Sequence, residues 1–143
     1  MATRFFLLYI AMAFSAALTL SVSWAQSSHP LHAGIYSAEQ ASRGEAAYMA
    51  NCASCHANDL RGNSNSPGLI GVGFLFLWEE RPLAELFQKM RDEMPTDRPG
   101  SLPAETYVDL LAFLLHSNGY PSGSNALTTA VLADETLSII APP

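Results

Sequence analysis

The chain holds two cysteines, and both fall in one stretch, Cys52-Ala53-Ser54-Cys55-His56. No other feature limits the fold so tightly, because few chemistries use two thiols three positions apart with an imidazole directly after them. A structural zinc site takes about four ligands, and neither a second cysteine pair nor a spaced histidine pair completes one. A thioredoxin-like redox pair needs its first thiol at a helix start within a sheet-and-helix context, and no strand pattern precedes Cys52. A disulfide across so short a ring is strained. Covalent haem attachment uses all three residues. Thioethers from Cys52 and Cys55 fix the porphyrin edge, and His56 reaches the iron as proximal ligand.

The flanking residues predict helices around that motif. Ser37 with Gln40 forms a capping box, Tyr36 and Ala41 stand at staple positions, and a helix follows from about Ala38 to Cys52. Gly44 lies inside it, either where another backbone comes close or as a tolerated helix glycine. A middle helix is expected from Pro82 to about Asp92, with Leu83, Leu86, Phe87 and Met90 at helical spacing. A last helix is expected with Pro103 at its first position, Glu105 in its first turn and a stop at Asn118-Gly119. Val108, Leu111 and Leu115 line one face of it, and Leu110, Phe113 and Leu114 widen that face, so it must be heavily buried. Residues from Leu69 to Trp78 read as an apolar, glycine-broken segment lining the haem crevice.

With these elements around Cys52-Ala53-Ser54-Cys55-His56, the chain resembles the class I mono-haem cytochromes c over roughly residues 38–120. It is most similar to the small cytochromes c, and cytochrome c domains, associated with quinoprotein (PQQ-dependent) alcohol dehydrogenases. That closer likeness is carried by Asp59-Leu60 and Gly62, Met94-Pro95, Pro99-Gly100-Ser101-Leu102 and Asn118-Gly119-Tyr120-Pro121. The resemblance implies an all-α fold of about three to five helices packed around one covalently attached haem. It implies that Gly44 and Tyr48 meet the last helix near Phe113, and that the Pro67 carbonyl accepts a hydrogen bond from His56. A turn-forming role for Pro67 is compatible with that. Trp78 is expected either to donate its indole N–H to a haem propionate or to pack, and Arg81 or Arg98 to pair with propionates.

The sixth iron position has several candidates. Met49 precedes His56 on the attachment helix and cannot reach the opposite face, and Met90 continues an apolar stripe, where methionine serves as core filler. His116 sits in a last helical turn, a structural position, while His29 and His32 belong to an amino-terminal tail. Met94 stands apart, because Pro95 forces it out of helical geometry into an extended loop. The family's Met-Pro pattern agrees with Met94 as axial ligand.

Outside the domain, Arg4 precedes an uncharged apolar run from Phe5 to Val22, and Ser23-Trp24-Ala25 suits a signal peptidase. Residues 1–25 are therefore expected to be a signal peptide cleaved after Ala25, with an uncleaved membrane anchor as the alternative. Residues 26–36 are expected as a linker, 37–120 as the cytochrome c domain and 121–143 as an extension packing on the domain or docking on a partner. Removing Arg4 takes the formal net charge from −6 to −7, which argues against nucleic acid as a partner.

The expected function is that of a periplasmic electron carrier, not an enzyme. It would accept electrons from a dehydrogenase, PQQ-dependent alcohol dehydrogenase on the resemblance, and pass them to a terminal oxidase. The alternative is a tightly bound haem c subunit of a dehydrogenase or oxidase complex. A haem enzyme or gas sensor needs an open iron, and no distal histidine or arginine is arranged for one.

Overall fold

A computed structural model describes residues 29–143. The expected signal peptide, and residues 26–28 of the expected linker, lie outside them. Seven helical segments follow in chain order: α1 (Pro30–Ala33), α2 (Ala38–Asn51), α3 (Ala53–His56), α4 (Gly71–Trp78), α5 (Leu83–Glu93), α6 (Ala104–Ser117) and α7 (Thr129–Leu132). Among the described residues there is no strand, only one antiparallel bridge between Pro82 and Ser138. Four of the helices exceed a single turn, and the fold is all-α, as the sequence predicts.

The capping box forms as read: the Ser37 hydroxyl accepts the Gln40 N–H at 3.2 Å while the Gln40 side chain accepts the Ser37 N–H. From that start α2 buries Gln40, Ala41, Gly44 and Tyr48, one stripe at helical spacing, against α6. Gly44 is where the two backbones touch. A Cβ there would stand 2.0 Å from the Asp109 carbonyl oxygen and 2.8 Å from the Phe113 Cβ, so of the two readings of this glycine, close approach is the right one. One turn later the Tyr48 and Phe113 rings pack with centroids 5.3 Å apart, and the Arg43 guanidinium forks onto the Asp109 carboxylate at 2.7 and 2.8 Å. α6 buries every residue from Leu110 to Leu115. Helices α5 and α6 each begin one residue later than the sequence predicts, because Pro82 and Pro103 sit at the caps with extended ψ.

Two expectations need correcting, and one open alternative is decided. The described part of the linker is core: Leu31 and Tyr36 are fully buried, and the His32 imidazole reaches the Ala141 carbonyl at 2.8 Å. The apolar segment before Trp78 is a regular helix, α4, whose inner face buries Phe74 and Trp78 while Val72 and Phe76 face outward. The extension lies on its own domain, which was one of the two readings. Leu127, Leu132, Leu137 and Ile139 are buried, and the Gln40 amide exchanges two hydrogen bonds with the Leu127 backbone, at 2.9 and 2.6 Å. Further on, the Glu80, Leu83 and Ile139 N–H groups donate to Ile139, Leu137 and Arg81 carbonyls, strapping the tail across the link between α4 and α5.

Substituting Gly44→Ala would force α2 and α6 apart at their closest point. The expected loss is about 3 kcal/mol of unfolding free energy, measured by denaturant titration of the haem-loaded protein. A loss below about 1 kcal/mol would mean that the Asp109 backbone yields.

Candidate haem site

The carboxyl end of α2, the turn α3 and the loop behind them carry the motif. Cys52 caps α2 with its N–H on the Tyr48 carbonyl, and Cys55 and His56 N–H groups return to the Cys52 carbonyl at 3.1 and 2.9 Å. Both thiols are free. Burial pushes the Cys52 thiol up to about 11, with the neighbouring Cys55 adding to the rise and Arg98 opposing it.

Behind His56 the backbone takes left-handed conformations at Ala57 (φ 65°), Leu60 (φ 59°) and Gly62 (φ 71°). Each non-glycine in that region costs about 1–3 kcal/mol, and hydrogen bonds from Gly62 N–H to the His56 carbonyl and from Leu69 N–H to the Leu60 carbonyl hold the path. Any Cβ on Gly62 would lie 2.4 Å from the Ser66 carbonyl oxygen, so the loop closes only on glycine here. The Asn63 side chain takes Asn65 and Ser66 N–H groups on its oxygen and donates to the Cys55 carbonyl at 2.6 Å. That geometry carries the Pro67 carbonyl to 2.9 Å from His56 Nδ1. A carbonyl can only accept, so Nδ1 bears the proton and Nε2 keeps its lone pair, the arrangement a metal-ligating imidazole requires.

A cavity of about 520 Å³ opens beside the motif, within the range of cofactor pockets. Its wall joins Cys52, Cys55, His56 and Pro67 to Leu69, Leu77 and Trp78, and to Met90, Met94, Leu102, Tyr107, Leu110 and Leu114. Cys52, Cys55, His56, Pro67, Trp78 and Met94 therefore line one mostly apolar space. Two free thiols, an imidazole with an oriented lone pair and a thioether facing the same cavity are a donor set that fits haem c.

The methionines divide as their backbones do. Met49 is 45% exposed and does not line the cavity. Met90 lines it from α5, and Met94 lines it from extended backbone (φ −122°, ψ 151°), the conformation expected ahead of Pro95. The Tyr107 hydroxyl donates to the Met94 carbonyl at 2.7 Å, and the Thr96 hydroxyl lies 3.6 Å from the Met94 sulfur. Of the two arginines, Arg98 belongs to the cavity rim and donates to the Asn51 side chain at 2.9 Å, joining the loop after Met94 to the end of α2. Arg81 instead lies over the Trp78 ring at 4.4 Å and pairs with Glu85. His116 sits in the last turn of α6, its Nδ1 3.4 Å from the Tyr36 hydroxyl, away from the cavity.

Tyr107 and Asn118 are site-building residues that pattern reading missed. The apolar residues expected on the last helix run from Val108 onward and do not include Tyr107. Asn118 looked like a helix stop, yet its side chain accepts the Gly71 N–H and donates to the Leu69 carbonyl, both at 2.9 Å, fixing the start of α4. Neither pairing leaves a local signature: Tyr107 reaches back 13 residues across the loop before α6, and Asn118 reaches back 47 and 49 residues.

No curated protein and no solved structure gives a significant match to the chain. Residues 39–114, from the first turn of α2 to the last turns of α6, match the family described as cytochrome c oxidase, cbb3-type, subunit III. That span is just over half of the chain and encloses the motif, the cavity and the helix crossing, so the chain belongs to this cytochrome c family, and its cofactor is a covalently attached haem c.

Proposed function

We propose that the chain is a periplasmic mono-haem electron-transfer protein, exported with cleavage after Ala25, in which His56 and Met94 fill the two axial positions of iron. On this reading it accepts electrons from a periplasmic dehydrogenase, of the PQQ-dependent alcohol dehydrogenase kind that its sequence resembles, and passes them to a terminal oxidase. The observation that carries the proposal is the sharing of one apolar cavity by an imidazole with an oriented lone pair and a thioether held on extended backbone. Haem c supplies a one-electron ferrous–ferric couple, and two protein axial ligands leave no place for a substrate.

The rest of the work falls to the chain. Cys52 and Cys55 hold the cofactor by thioethers, and the Pro67 carbonyl fixes the His56 tautomer. Tyr107 anchors the Met94 backbone. Leu86, Leu102, Leu110 and Leu114 keep water from the cavity, which favours the less charged ferrous state, while the net charge, −7 once Arg4 is removed with the leader, favours the ferric. Trp78 and Arg98 are the residues assigned to the propionates.

The family description favours a second reading, in which the chain is a dedicated haem subunit of an oxidase complex. Gel filtration of detergent-treated membranes and soluble fractions from the native host separates the two. A free carrier elutes near its own 15.4 kDa or less, and a subunit elutes with its complex.

Optical spectra test the ligand assignment. Wild-type ferric protein should show the weak far-red sulfur-to-iron band, and the ferrous protein should ignore carbon monoxide. Met94→Ala should abolish the band, bind carbon monoxide and lower the potential while haem stays attached. Met90→Ala should keep the band and cost about 2 kcal/mol of stability, the low end for a partly buried methionine. If Met90→Ala alone opened the iron, the thioether would come from α5.

Tyr107→Phe isolates the anchoring hydrogen bond. The expected result is a loss of about 1 kcal/mol with faster displacement of the thioether by added imidazole. Unchanged displacement kinetics would show that the Met94 loop is held without it.

A further inference from the structure

Helix α4 is apolar on both faces. Its inner face is spent on the core through Phe74 and Trp78, yet Val72 and Phe76, one turn apart on the outer face, are 86% and 88% exposed, and Leu77 beside them is 44% exposed. A helix apolar all round is normally enclosed, and contiguous exposed apolar side chains mark a binding surface. Looseness does not explain this exposure, because α4 is pinned at both ends. Asn118 holds the Gly71 N–H and the Leu69 carbonyl at its start, and Ile139 pairs with Glu80 and Arg81 just past its end. Leu77 belongs to the outer face and to the cavity wall together, so whatever covers this face sits one side chain from the haem cavity.

We infer that Val72, Phe76 and Leu77 form the docking surface for a redox partner protein, one presenting an apolar patch ringed by lysine and arginine. The inference rests on the electron-transfer reading above. Charge selects the partner. Glu79 and Glu80, both exposed, stand at the negative end of α4 beside the patch, and the nearest cation, Arg81, is engaged with Glu85. A second copy would bring the same acidic rim against this one, and an anionic membrane surface would be repelled by it. Size selects the kind of complex, since three side chains fall well short of the ~800 Å² per partner of a standard stable interface. A brief encounter is what such an area supports.

The test compares wild-type haem-loaded protein with Val72→Ser/Phe76→Ser and with Glu79→Lys/Glu80→Lys. All four positions are exposed, so the fold should tolerate each pair. Each reduced protein is titrated into oxidase-containing membranes of the source organism, and oxygen uptake is recorded beside oxidation by ferricyanide.

Both variants should need about tenfold more protein for half-maximal uptake, the loss expected when a central aromatic anchor or its complementary rim is removed. In the serine variant, which changes no charge, ferricyanide oxidation and reduction potential should match wild type. Uptake by the serine variant equal to wild type would overturn the docking surface while leaving the carrier reading intact. So would a wild-type dimer, or wild-type binding to anionic vesicles, that the serine variant loses, since the patch would then serve a second copy or a membrane. Wild type that delivers no electrons to the membranes would remove the carrier reading, and this inference with it.

Discussion

The contact between the backbones of α2 and α6 at Gly44 governs the rest of the molecule. Two helices can cross this closely only where one side chain is missing, and the crossing point fixes both their separation and their angle. Because α2 ends in Cys52 and α6 carries Tyr107, Leu110 and Leu114, setting that crossing also sets how the attachment residues stand to the part of the cavity lining that α6 supplies. The bidentate Arg43–Asp109 pair and the tilted Tyr48–Phe113 ring pair flank the contact and resist slippage along it. Arg43 is exposed, so its pairing with Asp109 adds little stability beyond that alignment.

What the helices leave undone, short polar contacts finish. The route from His56 back to Pro67 passes through three left-handed residues and is tied by Asn63, so that a backbone carbonyl ends up facing an imidazole. The opposite wall depends on single hydroxyl and guanidinium groups, Tyr107 on the Met94 carbonyl and Arg98 on Asn51. A framework of apolar helices thus positions the cavity coarsely, and a few directed hydrogen bonds place the atoms that meet the cofactor.

Local chemistry was legible in the sequence. The capping box at Ser37 and Gln40, the helical stripes of α5 and α6, the break at Met94-Pro95 and the thiol-imidazole motif each announce themselves within a few residues. Contacts between distant segments were not. The segment from Leu31 to Tyr36 looked like linker because its partners, including residues 122–123 and 141, come from the far end of the chain. Helix α4 looked irregular because its two faces carry the same kind of side chain, and periodicity cannot report a helix that has no polar face. Gln40 was read for its capping role alone, though the same amide also receives the tail.

The strap formed by residues 137–139 changes what kind of folding problem this chain poses. Helical domains built from neighbours in sequence assemble quickly, whereas pairings across long stretches must first close a large loop. Here the link between α4 and α5 is completed by residues more than fifty positions later, and Gln40 and His32 wait for partners 87 and 109 positions away. The link between α4 and α5 is thus secured late in folding, and Leu77 and Trp78, which line the cavity just before it, gain their final support only once that distant segment has closed.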